Sequence, residues 1–187
     1  APDPADQAAV LALVRACEQE VLGEVDSSED EVAEMFVGPV IDREATFLVH
    51  DGDELVGFAW IENDPTGRES WVDVYVDPPN DDLAAGIIAY GGAVAAGHRA
   101  AVPDVDEWHL RSGCYATDTA LVGAFERAGL ERIRRFWRMR IELATADLTA
   151  EPAPLPVGVE IVQAYDEPLR RSAYEVQTTS FEDHWNH

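Results

Sequence analysis

Apolar residues recur with helical spacing near the start of the chain. They stand three or four positions apart at Val10, Leu13, Val14, Cys17 and Val21. Asp3 and Pro4 predict the beginning of this helix, since aspartate can cap a helix and proline suits its first position. Gly23 predicts its end. Ser28 and Glu31 then form the S-x-x-E pattern of a capping box, which predicts a second, shorter helix.

The pattern becomes strand-like from residue 46 to residue 62. Two apolar arms flank Asp51-Gly52-Asp53, a sequence typical of a tight hairpin turn. Residues 70–76 then alternate as a strand does. One face of this strand carries Trp71, Asp73 and Tyr75, and the other carries Val72, Val74 and Val76. Pro78-Pro79 predicts its end, because proline cannot continue the hydrogen-bonded ladder.

Helices and strands alternate over the rest of the chain. Residues 83–98 are rich in glycine and alanine, which predicts a helix packed closely on the sheet. Prolines at 152, 154 and 156 indicate a linker. The remaining pattern predicts a strand over 107–111, a helix over 118–128, a long strand over 131–143, a strand over 158–162 and a helix from Asp166. This order is typical of a mixed α/β sheet.

Composition excludes several classes of partner. The chain has 187 residues, of which 47% are hydrophobic, and 37 acidic residues against 13 basic ones give a net charge of −24. Such a surface repels nucleic acid and anionic membranes. No apolar run is long enough for a membrane span, and the polar, acidic start does not resemble a signal peptide. We therefore expect a cytoplasmic protein, with Cys17 and Cys114 as buried thiols rather than a disulfide framework.

Three segments resemble the GNAT family of acetyltransferases. ELVGFAWIE resembles the second hairpin arm of the family, and WVDVYVDPP resembles its central strand, which ends in V-x-P. FERAGLERIRRFWRMRIEL resembles its closing helix and last strand. The resemblance covers residues 3–143. It implies the GNAT fold, a mixed and mostly antiparallel central sheet flanked by helices.

The tail carries a second resemblance. Residues 158–185 are similar to the first strand and helix of another GNAT copy, as in actinobacterial tandem GNAT proteins, a group similar to mycothiol synthase. This implies a GNAT-like domain over 1–143, a Pro-rich linker over 144–157 and a truncated second domain over 158–187. A single domain with a helical tail is the alternative. A GNAT domain opens with a strand that is absent before the first helix here, and residues 159–162 are a candidate to cover the exposed sheet edge.

The resemblance implies transfer of an acetyl group from acetyl-CoA to a small-molecule amine. The family binds the cofactor pyrophosphate with a Q/R-x-x-G-x-G/A loop, and the corresponding PPNDDLAAGIIAYGG contains no Arg or Gln. Asp81 and Asp82 stand where the pyrophosphate would bind and would repel it, unless they serve only as a helix cap. The predicted cofactor-binding residues are the central-strand backbone at Val74, Tyr75 and Val76, together with Gly86.

The catalytic positions of the family are also altered. Its general acid is a tyrosine, and the corresponding residue is Phe125, so Tyr115 is the candidate catalytic replacement. A structural tyrosine at a strand end is the alternative for Tyr115. Asp73 and Glu62 are candidates for the general base, and no metal site is predicted. We therefore expect residues 1–143 to be degenerate and the activity to lie in the second domain. The alternative is a non-catalytic scaffold.

Arginines concentrate in one stretch of this acidic chain. Six lie within 14 residues: Arg127, Arg132, Arg134, Arg135, Arg138 and Arg140. They indicate a phosphate site, a salt-bridged sheet face, or a docking surface for an acidic second domain. The neighbouring Phe136 and Trp137 favour a buried contact between domains, where arginine and aromatic residues are enriched. The predicted protein partner is a second GNAT domain or a second copy of the chain.

Overall fold

The computed structural model divides the chain into two compact units, residues 1–134 and residues 135–187. The structure describes residues 2–38, 41–64, 68–78, 81–102, 106–144, 149, 151, 153–163 and 165–181, without the side chains of Asp81 and Asp82.

The first unit opens with the two predicted helices, α1 (Gln7–Leu22) and α2 (Glu29–Val37). A 3-10 turn precedes α1, and the Asp3 carboxylate caps it by accepting a hydrogen bond from the backbone N–H of Ala5 at 2.9 Å. Gly23 ends α1 with a left-handed φ of 75°, which glycine adopts at little cost. Both helix predictions are confirmed.

Four strands form one sheet in the order β1-β2-β3-β4. They are β1 (Phe47–Asp51), β2 (Glu54–Asn63), β3 (Glu69–Val76) and β4 (His109–Arg111). The first three pair antiparallel, and β4 pairs parallel to β3. Gly52 makes the hairpin turn with a φ of 60°. The mixed, mostly antiparallel sheet expected from the sequence is confirmed.

Each face of the sheet has its own apolar core, because alternate side chains of a strand point to opposite faces. On one face, Phe58, Trp60 and Tyr75 pack with α1 and α2. On the other, buried residues of β2 and β3 pack with α3 (Asp81–Ala101) and α4 (Thr119–Arg127). A Cβ on Gly91 of α3 would lie 2.7 Å from Val72, so the predicted close packing of this helix is confirmed.

Two predicted strands are absent. Residues 131–144 and 158–163 form neither helix nor strand in the described part of the chain, so the predictions of strands over 131–143 and 158–162 are wrong. Alternation makes a segment suitable for a strand, but a strand also needs a partner for its backbone hydrogen bonds. The predicted final helix is confirmed as α5 (Glu167–Ser180), capped by the Asp166 carboxylate on the N–H of Leu169.

The two cysteines differ in burial. Cys17 is half-buried on α1, whereas Cys114 is exposed in the loop after β4, so the prediction that both are buried is wrong for Cys114. Among the described helices, none is both long and apolar enough to cross a membrane.

Candidate functional site

The ladder between β3 and β4 stops before β3 ends, and this break in the ladder is called the gap below. The parallel pairing ends at Trp71 and Arg111. Beyond it, the Ser112 hydroxyl donates to the carbonyl of Val72, and the backbone N–H of Gly113 donates to the Asp73 carboxylate at 3.3 Å. Two bonds that each use a side chain therefore replace the backbone ladder where the strands part.

The edge of β3 that faces this gap is identified by its neighbours. The carbonyl of Arg68 accepts from the N–H of His109, and that of Val72 accepts from Ser112, so even-numbered peptide groups face β4. Val74 and Val76 therefore present their peptide groups on the same edge, past the last pairing.

The carbonyl of Val76, on this edge, already accepts a hydrogen bond. The thiol of Cys17, on α1, donates to the carbonyl of Val76 at 3.2 Å. Burial raises the pKa of Cys17 to about 11. The thiol therefore stays protonated at neutral pH and remains a donor to this carbonyl.

Asp73 places a carboxyl group where the strands part, since it accepts the N–H of Gly113. It lies opposite Trp60 in the β2–β3 ladder, and the Trp60 indole N–H donates to it at 2.8 Å. Burial raises the pKa of Asp73, although the hydrogen bonds from Trp60 and Gly113 act in the opposite direction. Burial, and then the charge of Asp73, also raise the pKa of Glu62 on the same face. Asp73 is thus suited to accept a proton.

Two tyrosines share the neighbourhood of Asp73. Burial, followed by the negative charge of Asp73, raises the pKa of Tyr75, and Tyr115 contributes to the same shift. Partial burial and then the carboxylates of Glu18 and Glu31 raise the pKa of Tyr115. Both hydroxyls therefore stay protonated at neutral pH.

A buried carboxylate holds the α1–α2 connection beside these tyrosines. Glu18 is only 5% exposed. It accepts the backbone N–H groups of Asp26 and Ser27 at 2.9 Å each, and the Ser27 hydroxyl at 2.6 Å. Sequence reasoning missed Glu18, because one carboxylate among 37 acidic residues is distinguished only by its burial. It also missed Trp60. An antiparallel pairing of the strands now seen as β2 and β3 could have placed Trp60 opposite Asp73.

Known proteins with similar sequences and folds are acetyltransferases. No family model matches the chain. It is 32% identical over 159 residues to mycothiol acetyltransferase from Thermobispora bispora, which covers 84% of this chain and 48% of that protein. Its fold is similar to a GCN5-related N-acetyltransferase from Sphaerobacter thermophilus, with a TM-score of 0.61, 23% identity, and coverage of 68% of this chain and 41% of that one.

A ribosomal-protein-alanine N-acetyltransferase from Brucella melitensis biovar Abortus 2308 is also similar, with a TM-score of 0.50, 16% identity, and coverage of 73% of this chain and 94% of that one. The chain has the GNAT fold and is similar in sequence to an acetyltransferase of that family. The GNAT fold expected from the sequence is confirmed. This GNAT chain spans about half the length of the mycothiol acetyltransferase that it matches.

The GNAT site residues expected from the sequence lie in different places. Val74, Tyr75 and Tyr115 lie around the gap, whereas Gly86 lies on α3 and lines a groove with β1, two strands away from β3 in the sheet. Phe125, expected at the position of the general acid, lies on α4 and is buried in the core that this helix shares with α3 and the sheet. A phenyl ring there has no proton to donate.

The segment that the resemblance implies for phosphate binding lies at the beginning of α3. That helix starts at Asp81, so Asp81 and Asp82 occupy its first turn, but their side chains lie outside the described part of the structure. Within the described residues, no group of three or more metal-ligating side chains is present.

Proposed function

We propose that this protein transfers an acetyl group from acetyl-CoA to a small-molecule amine, and that residues 1–143 are a degenerate GNAT domain with the activity in a second GNAT domain. The names of its relatives support the reaction. The length of the mycothiol acetyltransferase, about twice that of the matched region, supports a second domain. The observation that carries the degeneracy is the start of α3 at Asp81, because two aspartates then begin the helix that is expected to bind the cofactor pyrophosphate.

The site fits the pantetheine part of acetyl-CoA only partly. Pantetheine would bind the exposed β3 edge through backbone hydrogen bonds, which do not depend on side chains. The peptide groups of Val74 lie on that edge, but the carbonyl of Val76 already accepts the Cys17 thiol. The cofactor would have to displace this thiol to complete its pairing.

The domain fits the phosphate end of acetyl-CoA less well than it fits the pantetheine part. A helix N-terminus favours an anion, but the first two residues of α3 are both aspartates, which carry the same sign of charge as a phosphate. The whole chain adds a net charge of −24. Acetyl-CoA carries several negative charges, so its phosphates would be repelled. We therefore place the transfer step outside residues 1–143.

The remaining chemistry of the site suits an amine more than it suits the cofactor. Asp73, with its raised pKa, can take up a proton, and the charges around Tyr115 come from Glu18 and Glu31. Carboxylates attract a protonated amine and can accept its proton. These residues are what the domain retains of acetyltransferase chemistry.

Calorimetric titration of acetyl-CoA into the chain tests the degeneracy. We expect no micromolar binding by the unchanged chain. Cys17→Ala removes the competing thiol and should strengthen whatever weak binding remains by about fivefold, the value of one hydrogen bond near 1 kcal/mol. Cys114→Ala is the control, since Cys114 lies away from the Val76 carbonyl in the loop after β4. Micromolar binding by the unchanged chain would contradict the proposal.

The alternative, a non-catalytic scaffold, also has an observation in its favour. Large apolar side chains are exposed in the segment after Gly129, including Trp137 at 78% and Met139 at 92%. Exposed apolar groups in such number are typical of an interaction surface.

A further inference from the structure

Backbone pairing between β3 and β4 stops where its register would allow one more bond. The N–H of His109 donates to the carbonyl of Arg68 at 2.9 Å. Bonds of this kind recur every second residue along a parallel pair. In the observed register, a continued ladder would therefore have the N–H of Gly113 donate to the carbonyl of Val72. β3 extends to Val76, so the strand that would receive this bond is present.

Both members of this missing bond are bonded to side chains instead. The N–H of Gly113 donates to Oδ1 of Asp73 at 3.3 Å, and the hydroxyl of Ser112 donates to the carbonyl of Val72 at 2.5 Å. Asp73 follows Val72 on one strand, and Ser112 precedes Gly113 on the other. Each peptide group is thus bonded to a side chain adjacent to its expected partner. These two hydrogen bonds are called the crossed pair below.

The crossed pair leaves neither peptide group without a partner. Val72 is only 3% exposed, and a buried carbonyl that loses its hydrogen bond is costly. The Ser112 hydroxyl supplies the donor that this carbonyl needs. The bond from Gly113 to Asp73 has a carboxyl acceptor, and such a bond is strengthened when the carboxyl is charged. The strands therefore part here with two hydrogen bonds in place of one.

Asp73 is also bonded to the neighbouring strand on its other side. Its second oxygen, Oδ2, accepts the indole N–H of Trp60 at 2.8 Å. Trp60 lies directly opposite Asp73 in the antiparallel pairing of β2 and β3. One carboxylate therefore bonds to β2 with one oxygen and to the chain after β4 with the other. Its orientation toward Gly113 is set by the regular part of the sheet.

The peptide group of Val74 is the next one that the crossed pair affects. In a continued ladder, the N–H of Val74 would donate to the carbonyl of Gly113. The crossed pair ends the ladder before this bond. An extended ligand that contains amide groups can bind an open strand edge through the same backbone groups that an added strand would use. The crossed pair thus lies at the point that decides whether β3 pairs with its own chain or with a ligand.

We propose that Asp73 and Ser112 are positioning residues that keep β3 and β4 apart and so keep the edge of β3 open at Val74. Asp73 then has a role separate from proton transfer, because it acts on the backbone of Gly113. The crossed pair acts on the strands themselves, whether or not acetyl-CoA binds at this edge. Its test is therefore independent of the titration with acetyl-CoA.

Couplings across hydrogen bonds, measured by NMR on the isotope-labelled chain, test the proposal, because they show which carbonyl or carboxyl carbon accepts a given N–H. In the unchanged chain, the N–H of Gly113 should couple to the carboxyl carbon of Asp73. Ser112→Ala frees the Val72 carbonyl, and Asp73→Leu removes the acceptor of Gly113. In the double variant, we expect Gly113 to couple to the Val72 carbonyl, and hydrogen exchange at the Val74 N–H to slow by about tenfold.

Two matched variants separate this role from a general effect on the fold. Ser112→Thr keeps the hydroxyl and should keep the strands apart. Ser180→Ala removes a hydroxyl that also donates to a backbone carbonyl, that of Val176 on α5, and should leave hydrogen exchange at Val74 unchanged. Circular dichroism checks that each variant is folded. If the double variant does not fold, Ser112→Ala decides alone, because it should slow exchange at Val74 whereas Ser112→Thr should not.

Three results would overturn the proposal. The first is a coupling between Gly113 and the Val72 carbonyl in the unchanged chain. The second is a folded double variant, or Ser112→Ala where that variant does not fold, in which hydrogen exchange at Val74 stays as fast as before. The third is equally slowed exchange in Ser112→Thr and Ser112→Ala, since the hydroxyl would then have no part in keeping the strands apart.

Discussion

At the scale of single residues, the properties of the site come from burial and from neighbours that are distant in sequence. Asp73 is one carboxylate among many, yet burial raises its pKa while the Trp60 indole N–H stabilises its charged form. The balance between these two effects decides how readily Asp73 binds a proton. The role of Cys17 likewise depends on the Val76 carbonyl, to which its thiol donates a hydrogen bond.

Trp60→Phe tests this balance. It removes the N–H donor but keeps an aromatic ring in the ladder, so the charged form of Asp73 loses one hydrogen bond and its pKa should rise further. A carboxyl carbon titration by NMR would follow Asp73 directly. Trp71→Phe is the control, because the Trp71 indole donates to Glu69 instead. An unchanged or lowered pKa of Asp73 in Trp60→Phe would show that this bond does not stabilise the carboxylate.

At the scale of elements, the caps and the close packing of α3 explain the layers. Asp3, Ser28, Asp118 and Asp166 each accept a backbone N–H at a helix start, so local sequence fixes where these helices begin. Gly91 has a tertiary role instead, because its missing side chain lets α3 approach Val72 of β3.

Alanine at two glycines of α3 should change stability in opposite directions. Gly91→Ala places a Cβ 2.7 Å from Val72, a stiff and buried side chain, and should cost about 1–3 kcal/mol in the free energy of unfolding. Gly97→Ala meets nothing within 4 Å on an exposed face, and should gain about 0.5–1 kcal/mol from helix propensity. Urea denaturation measures both. A stabilised Gly91→Ala would mean that α3 lies farther from the sheet.

At the scale of the whole molecule, charge and secondary structure are unevenly distributed. The first 130 residues contain 27 acidic residues and six arginines, whereas residues 131–143 contain five arginines and lie in a part of the chain without helix or strand. Exposed backbone outside regular elements is where proteases cut first.

Trypsin should therefore cleave the dilute chain first between Arg132 and Arg140, leaving a fragment of roughly 130 residues that resists further cutting. Intact-mass spectrometry identifies the sites. Arg43 and Arg68 provide an internal comparison, because both are exposed loop residues within the folded domain. Initial cleavage at either of them would show that residues 132–140 are better protected than these loops.

Much of the fold followed from local patterns. The helix from Asp3 to Gly23, the capping box at Ser28 and the hairpin turn at Gly52 each depend on a few adjacent residues, so the sequence predicted them well. The predictions of strands over 131–143 and 158–162 were wrong for one reason. Their alternation is local, but their hydrogen-bonding partners are not.

The sequence alone determined the helix caps, the turn glycines, the acidic charge and the resemblance to the GNAT family, because each resides in residue types at short spacing. Tertiary structure decided the site. It placed Cys17 of α1 on the Val76 carbonyl, Trp60 on Asp73, and Gly86 in a groove with β1 rather than beside β3. These contacts join residues from separate elements, and only the packing of helices on the two faces of the sheet brings them together.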